Sequence, residues 1–148
     1  MPGFCYRIRM HAISIKAVLL ATLAVIGVDI LSGMLLLGIY APDLKPSMTD
    51  EEVRRLLTHL MQNRGYVVLS LMLGTGSTVL GGYLAARLGR IVPYFNALAF
   101  GVLGILLGLL TSGELPTWYR AFAILATIPA ALLGAQLAKR RMAQIAKQ

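Results

Sequence analysis

Four stretches of the chain are apolar almost without interruption, and short segments between them collect the charges. Crossing roughly 30 Å of hydrocarbon takes about 20 apolar residues in a helix. The pattern therefore predicts spans over about 17–41, 67–86, 94–110 and 117–138. Residues 1–148 read as a single domain, an all-α polytopic membrane protein built as a four-transmembrane-helix bundle. Tyr40, Tyr66, Tyr83, Tyr94, Trp118 and Tyr119 fall at the ends of these segments. Amphipathic rings favour that depth, the headgroup region, so aromatic placement gives the same boundaries. A signal peptide is an alternative for the first segment. Its apolar run is well over the usual length, and Ile39 stands where cleavage after Ala41 would want a small residue.

The connection between the first two spans carries a different period. Thr49 and Glu52 have capping-box spacing, and Asp50, Glu51 and Glu52 suit the positive end of a helix. Asp50 with Arg54 and Glu51 with Arg55 are favourable i,i+4 pairs. Val53, Leu56, Leu57, Leu60 and Met61 form one apolar stripe, with Gly65 expected to close the helix. A short amphipathic helix over about 49–64 is expected to lie on the outer membrane surface. It reads first as a connector, with a lid or docking site as the alternative.

Charge orients the spans. Arg7, Arg9, Lys16, Arg87, Arg90, Lys139, Arg140, Arg141 and Lys147 occupy three regions that contain no acid. The other two connections mix Lys45, Arg54, Arg55, Arg64 and Arg120 with Asp43, Asp50, Glu51, Glu52 and Glu114. The positive-inside rule then places both termini in the cytoplasm and the chain in a cell (inner) membrane. The net charge of +8 is accounted for by helix ends, where Arg87 and Arg90 reach headgroups and Lys139, Arg140 and Arg141 attract anionic lipid. It does not cluster on one folded face, so no nucleic-acid partner is expected. Composition agrees, at 57% hydrophobic and 14% charged. The lone Cys5 excludes an internal disulfide, and His11 and His59 fall on opposite sides of the membrane. No metal, cofactor or catalytic residue is expected.

Small residues recur at helical spacing. In lipid they act as the adhesive, because helices gain little from hydrophobic burial against one another. The second span offers Ser70, Gly74, Ser77, Gly81 and Ala85, beside Gly82. The third offers Ala97, Gly101, Gly104 and Gly108, and the fourth Ala123, Thr127, Ala130, Gly134 and Ala138. Pro129 is expected to kink the last helix, and Asn96 to form an interhelical hydrogen bond. The glycine run from Gly74 to Arg90 is no nucleotide loop: Val79 stands where a dinucleotide fingerprint needs glycine, and no Lys-Ser/Thr pair follows.

That run, followed by Asn96 to Leu110, resembles a loose group of uncharacterised small bacterial four-helix membrane proteins. Their second helix ends in a GGYxAxR-like element, here Gly81, Gly82, Tyr83, Ala85 and Arg87. The resemblance covers about a quarter of the chain. It implies a bacterial inner-membrane origin and no particular mechanism.

Asp29 is the only acid within a span, about 12 residues or roughly 18 Å from either end of the first. A central Asp costs about 2.5–3.5 kcal/mol on insertion scales, against about 4–8 kcal/mol gained from the Leu, Ile and Val of the same segment. The segment still inserts, and its acid is a functional candidate facing the bundle interior. Thr75, Ser77, Thr78 and Thr127 fall near its level, which predicts a polar layer of hydroxyls bonding a neutral Asp29. Two functions follow. The first is a non-enzymatic protein acting by self-association or as a subunit of a membrane complex, with Asp29 as an interhelical hydrogen-bonder. The second is a small proton- or cation-coupled transporter working as a dimer with Asp29 as the coupling carboxylate. That plan is similar to the small multidrug transporters, without their motifs and with an extra surface helix.

Overall fold

The computed structural model describes residues 13–42, 44–89, 91–111 and 117–145. Expectations for Cys5, Arg7, Arg9, His11, Asp43, Arg90, Glu114 and Lys147 lie outside the described residues. Within them the protein is all-α, with five helices: α1 Ile15–Tyr40, α2 Asp50–Leu60, α3 Arg64–Leu88, α4 Pro93–Thr111 and α5 Thr117–Ile145. Four of these, all but α2, are long and apolar enough to cross a membrane. They run alternately up and down. One end of the bundle holds α2, and the other holds the turn between α3 and α4.

Each helix starts and stops for local reasons. The Ser14 hydroxyl accepts from the Ala17 amide at the head of α1. Thr49 and Glu52 complete a reciprocal capping box on α2, with the Thr49 amide donating to the Glu52 carboxylate at 2.7 Å. Hydrogen bonds from Thr49 hold the Glu52 carboxyl below its ordinary pKa. Glu51 and Arg55 pair at 3.1 Å on the exposed face. The expected end of α2 at Gly65 is corrected: α2 stops at Leu60, and Asn63 accepts from the Gly65 and Tyr66 amides to start α3. An Asx side chain that caps forward ends one helix by beginning the next. The last helix runs to Ile145, past the expected 138, and passes through Pro129 without interruption.

The core divides into two halves. Toward the turn end all four long helices meet: Val18, Ala21 and Val25 of α1 pack with Ala85, Phe100 and Ala131 of α3, α4 and α5. Ala86, Ala97, Ala135 and Ala138 continue this region. Toward the α2 end the cluster is Leu36, Ala41, Leu60, Tyr66 and Val67, with Tyr119 packed against it. No α4 residue joins that second cluster among the described residues, and Leu106 and Leu110 of α4 are exposed. The amphipathic stripe of α2 is thus partly spent on the bundle itself. Leu60 is 2% exposed while Leu57 is 42% exposed.

The most extensive helix contact joins α3 to α5. It is a backbone-to-backbone approach that only glycine permits. A Cβ at Gly82 would overlap the carbonyl of Ala131, and one at Gly134 would overlap the Val79 carbonyl and the Tyr83 amide. Gly81 meets Phe100 and Val25, and a methyl on Gly101 would lie 3.1 Å from Ile128 Cδ1. Gly104 has only Thr127 nearby, at 3.9 Å from such a methyl, while Gly74 and Gly108 have no neighbour within 4 Å. Of the expected packing glycines, those in the turn half make close contact. Gly108 faces open space where α4 does not close against the other helices, and Gly74 opens onto the space between α3 and α5.

Candidate functional site

Asp29 lies seven residues from Leu36 and four from Val25, which is itself seven from Val18. On a helix these spacings put all four on one face. Val18, Val25 and Leu36 are buried, yet Asp29 is exposed. The acid therefore belongs to the stripe that α1 turns toward its neighbours and sits at a break in the packing. On α3 the facing group is the Ser77 hydroxyl. Gly33 of α1 and Gly74 of α3 have no heavy atom within 4 Å of where a Cβ would be. Gly33, one turn from Asp29, leaves a gap beside the carboxyl on α1, while the space at Gly74 opens toward α5.

A second polar feature lies on the α5 side of α3. Ser70, Thr75, Thr78, Tyr119 and Thr127 bring five hydroxyls to a cleft of about 130 Å³ between α3 and α5. Leu71, Phe122 and Ala126 supply apolar wall, and Gly74 lines it as well. Ser70, Gly74 and Thr78 recur every four residues and so form one stripe of α3.

The hydroxyl hydrogen bonds define what the cleft offers. Thr78 donates to the Gly74 carbonyl at 2.7 Å, and Thr127 to the Ala123 carbonyl at 2.6 Å. Ser70 donates to the Val67 carbonyl at 2.9 Å, which leaves Tyr119 as donor in the 3.4 Å contact between the Ser70 and Tyr119 hydroxyls. Ser77 also donates to Gly74, at 3.0 Å. One carbonyl thus accepts from the residue beside Asp29 and from the residue in the cleft.

The single polar layer expected around Asp29 is accordingly divided. Ser77 faces Asp29, whereas Thr75, Thr78 and Thr127 line the cleft, and Asp29 is not part of its lining. The reason is geometric. Consecutive helical residues point about 100° apart, so Ser77 and Thr78 share a level but not a direction. Ser70 and Tyr119 are additions. The spacing of Ser70 from Gly74 and Thr78 contained the first, and the spacing of Tyr119 from Ala123 and Thr127 contained the second.

Asn96, fully buried near the turn end, is the other polar centre. Its amide nitrogen donates to the Gly89 carbonyl at 2.7 Å, and its oxygen accepts from the Ser14 amide at 2.8 Å. Arg87 reaches its own helix, with a nitrogen 3.4 Å from the Tyr83 hydroxyl, and Lys139 lies over the Tyr94 ring at 5.3 Å. Among the described residues, no group of three or more His, Cys, Asp or Glu could hold a metal ion. No family model, curated protein or solved structure matches the chain.

Proposed function

We propose that this protein is a small non-enzymatic carrier of a cell membrane, with both termini cytoplasmic, in which Asp29 exchanges its proton for a cation. The observation that carries the reading is the placement of Asp29. It lies on the otherwise buried face of α1, it is exposed, the Ser77 hydroxyl faces it, and Gly33 one turn away meets no neighbour. A carboxyl serving only to bond two helices would be enclosed by its partners, since an open polar group in lipid gains least. A carboxyl that loads and unloads must stay reachable. On loading, the proton leaves Asp29 for water and the cation takes its place beside the carboxylate. Two copies working together would enlarge the enclosed space beyond what four helices provide.

The test is carbodiimide labelling of Asp29 in native membranes across pH, with Asp29→Asn as background. Labelling that changes with pH, and is blocked by an added cation, is expected. Labelling that is absent or indifferent to pH and cations would overturn the carrier reading.

A second reading is favoured by a separate observation. Gly27, Gly33 and Gly38 of α1 and Gly108 of α4 meet no neighbour within 4 Å. These small residues leave room for close approach of another helix, in a homo-oligomer or a partner subunit. In that case the protein acts by association, and Asp29 bonds across the new interface.

A further inference from the structure

The hydroxyl protons of the α3–α5 cleft are nearly all committed. Ser70, Thr78 and Thr127 give theirs to backbone carbonyls of their own helices, and Tyr119 gives its proton to Ser70. The remaining capacity of these oxygens is as acceptors. Of the five cleft hydroxyls, only that of Thr75 has no hydrogen-bond partner among the described residues. The ligand that such a lining satisfies is a donor. Leu71, Ala126 and Phe122 on the same walls rule against an alkali ion, which needs oxygen on most sides, and suit a short apolar body behind a donor head. The Phe122 and Tyr119 rings add faces that attract a cation. The volume, about 130 Å³, approaches that of an engineered cavity of about 150 Å³ that takes up benzene, which sets a limit near six heavy atoms.

We propose that this cleft binds a small primary ammonium, held by the acceptor oxygens of Thr78, Thr127 and Tyr119 with its apolar part against Phe122 and Leu71. The inference deepens the carrier reading and rests on it for the counter-charge. Ser77, facing Asp29, and Thr78, in the cleft, both donate to the Gly74 carbonyl, so a single carbonyl separates the hydroxyl beside the carboxyl from the hydroxyl that lines the cleft. The same headgroup chemistry is present in a free alkylamine and in phosphatidylethanolamine.

The experiment is titration of the purified full-length protein with n-propylammonium and with tetramethylammonium, which has the same charge and no N–H. Saturable binding of propylammonium, about tenfold or more tighter than tetramethylammonium, is expected. Thr78→Val and Thr127→Val should each weaken it about tenfold, Thr127→Ser, which keeps the acceptor oxygen, should retain the preference for propylammonium, and the α2 variant Thr58→Val should leave binding unchanged. Equal affinity for the two cations would overturn the proposal, as would unaltered binding in the folded Thr78→Val/Thr127→Val protein. Should Thr127→Val fail to fold, retained discrimination in Thr127→Ser and its loss in Thr78→Val decide the matter. Repeating the titration in phosphatidylcholine vesicles with and without phosphatidylethanolamine separates the sources. Competition by the latter makes the lipid headgroup the occupant, and its absence makes it a soluble amine. Carbodiimide labelling of the same samples keeps the two readings apart. Titrating label without N–H discrimination refutes the ligand class alone, whereas discrimination with label insensitive to pH refutes the exchange at Asp29 alone.

Discussion

Ser14 and Asn96 are joined across the turn end of the bundle, the amide of the first donating to the side-chain oxygen of the second at 2.8 Å. The other half of the Asn96 amide holds the Gly89 carbonyl, so one buried side chain ties the start of α1 to the end of α3 from a position on α4. Replacing it leaves a half-buried donor and a buried acceptor without partners. Asn96→Leu is expected to cost about 1–3 kcal/mol for each group left unsatisfied, read as a lowered unfolding midpoint in detergent. Asn96→Asp keeps the acceptor for Ser14 and loses the donor to Gly89, so its midpoint should fall between those of the leucine variant and the parent.

Glycine substitutions should divide by place rather than by sequence spacing. At Gly82 and Gly134 an added methyl meets backbone, which cannot rotate away, so Gly82→Ala and Gly134→Ala must force α3 and α5 apart. A loss of about 1–3 kcal/mol is expected for each. At Gly74 and Gly108 the methyl meets nothing within 4 Å. There the same change removes only the entropic penalty of glycine in a helix, about 0.5–1 kcal/mol, and should raise the midpoint slightly. Thermal unfolding of the four single variants in one detergent checks the sign.

The long helices and their order were legible because bilayer-length apolar runs and capping residues are one-dimensional signals. The capping box at Thr49 and Glu52 appears as read, since its partners are three residues apart. The glycines were a harder case. Gly82 and Gly108 look equivalent along the chain, and what separates them is whether a neighbouring helix comes close at that level, as α5 does to α3 at Gly82. The site failed to be legible for the same reason. Depth along a helix can be counted, which put Asp29, Ser77 and Thr78 at a common level. Direction depends on where the neighbouring helices stand, and it sends Thr78 toward α5 while Ser77 faces α1.

The docking of α2 carries an uneven load that side-chain truncation can measure. Leu60 packs into the cluster with Leu36, Ala41, Tyr66 and Val67 and is 2% exposed, whereas Leu57 one turn away is largely outside it. Leu60→Ala should cost about 2–5 kcal/mol and loosen α2, while Leu57→Ala should cost under about 0.5 kcal/mol. Amide exchange across α2, compared between the two variants, reports the difference directly. Equal protection in both would mean that α2 is held by something other than Leu60.

Acid should release the start of α2. The Glu52 carboxyl is held below its ordinary pKa by hydrogen bonds from Thr49, so its contribution is present above the ordinary glutamate range and is lost as pH falls through the lowered value. Protonation removes the acceptor that the Thr49 amide uses, and the first turn of the helix should fray. Chemical shifts of the Thr49 and Glu52 amides should follow one titration in the acid range. Thr49→Ala should move that titration only part of the way up toward the ordinary glutamate value, because it removes the hydroxyl bond to Glu52 and keeps the backbone amide, the larger contribution.

Asp29→Asn separates the carrier from the association reading through stability as much as through flux. The residue is exposed and its gap is bordered by Gly33, so the near-isosteric amide creates neither a cavity nor a clash. Its unfolding midpoint and oligomeric state should match those of the parent, while proton-coupled cation flux into proteoliposomes is abolished. Gly81→Leu should do the reverse to stability, since Phe100 and Val25 already occupy the space a side chain would need, and several kcal/mol of overpacking is expected. If Asp29→Asn instead dissociates an oligomer, the carboxyl is an interface hydrogen-bonder. The glycine-bordered gap beside it would then be where the second chain enters.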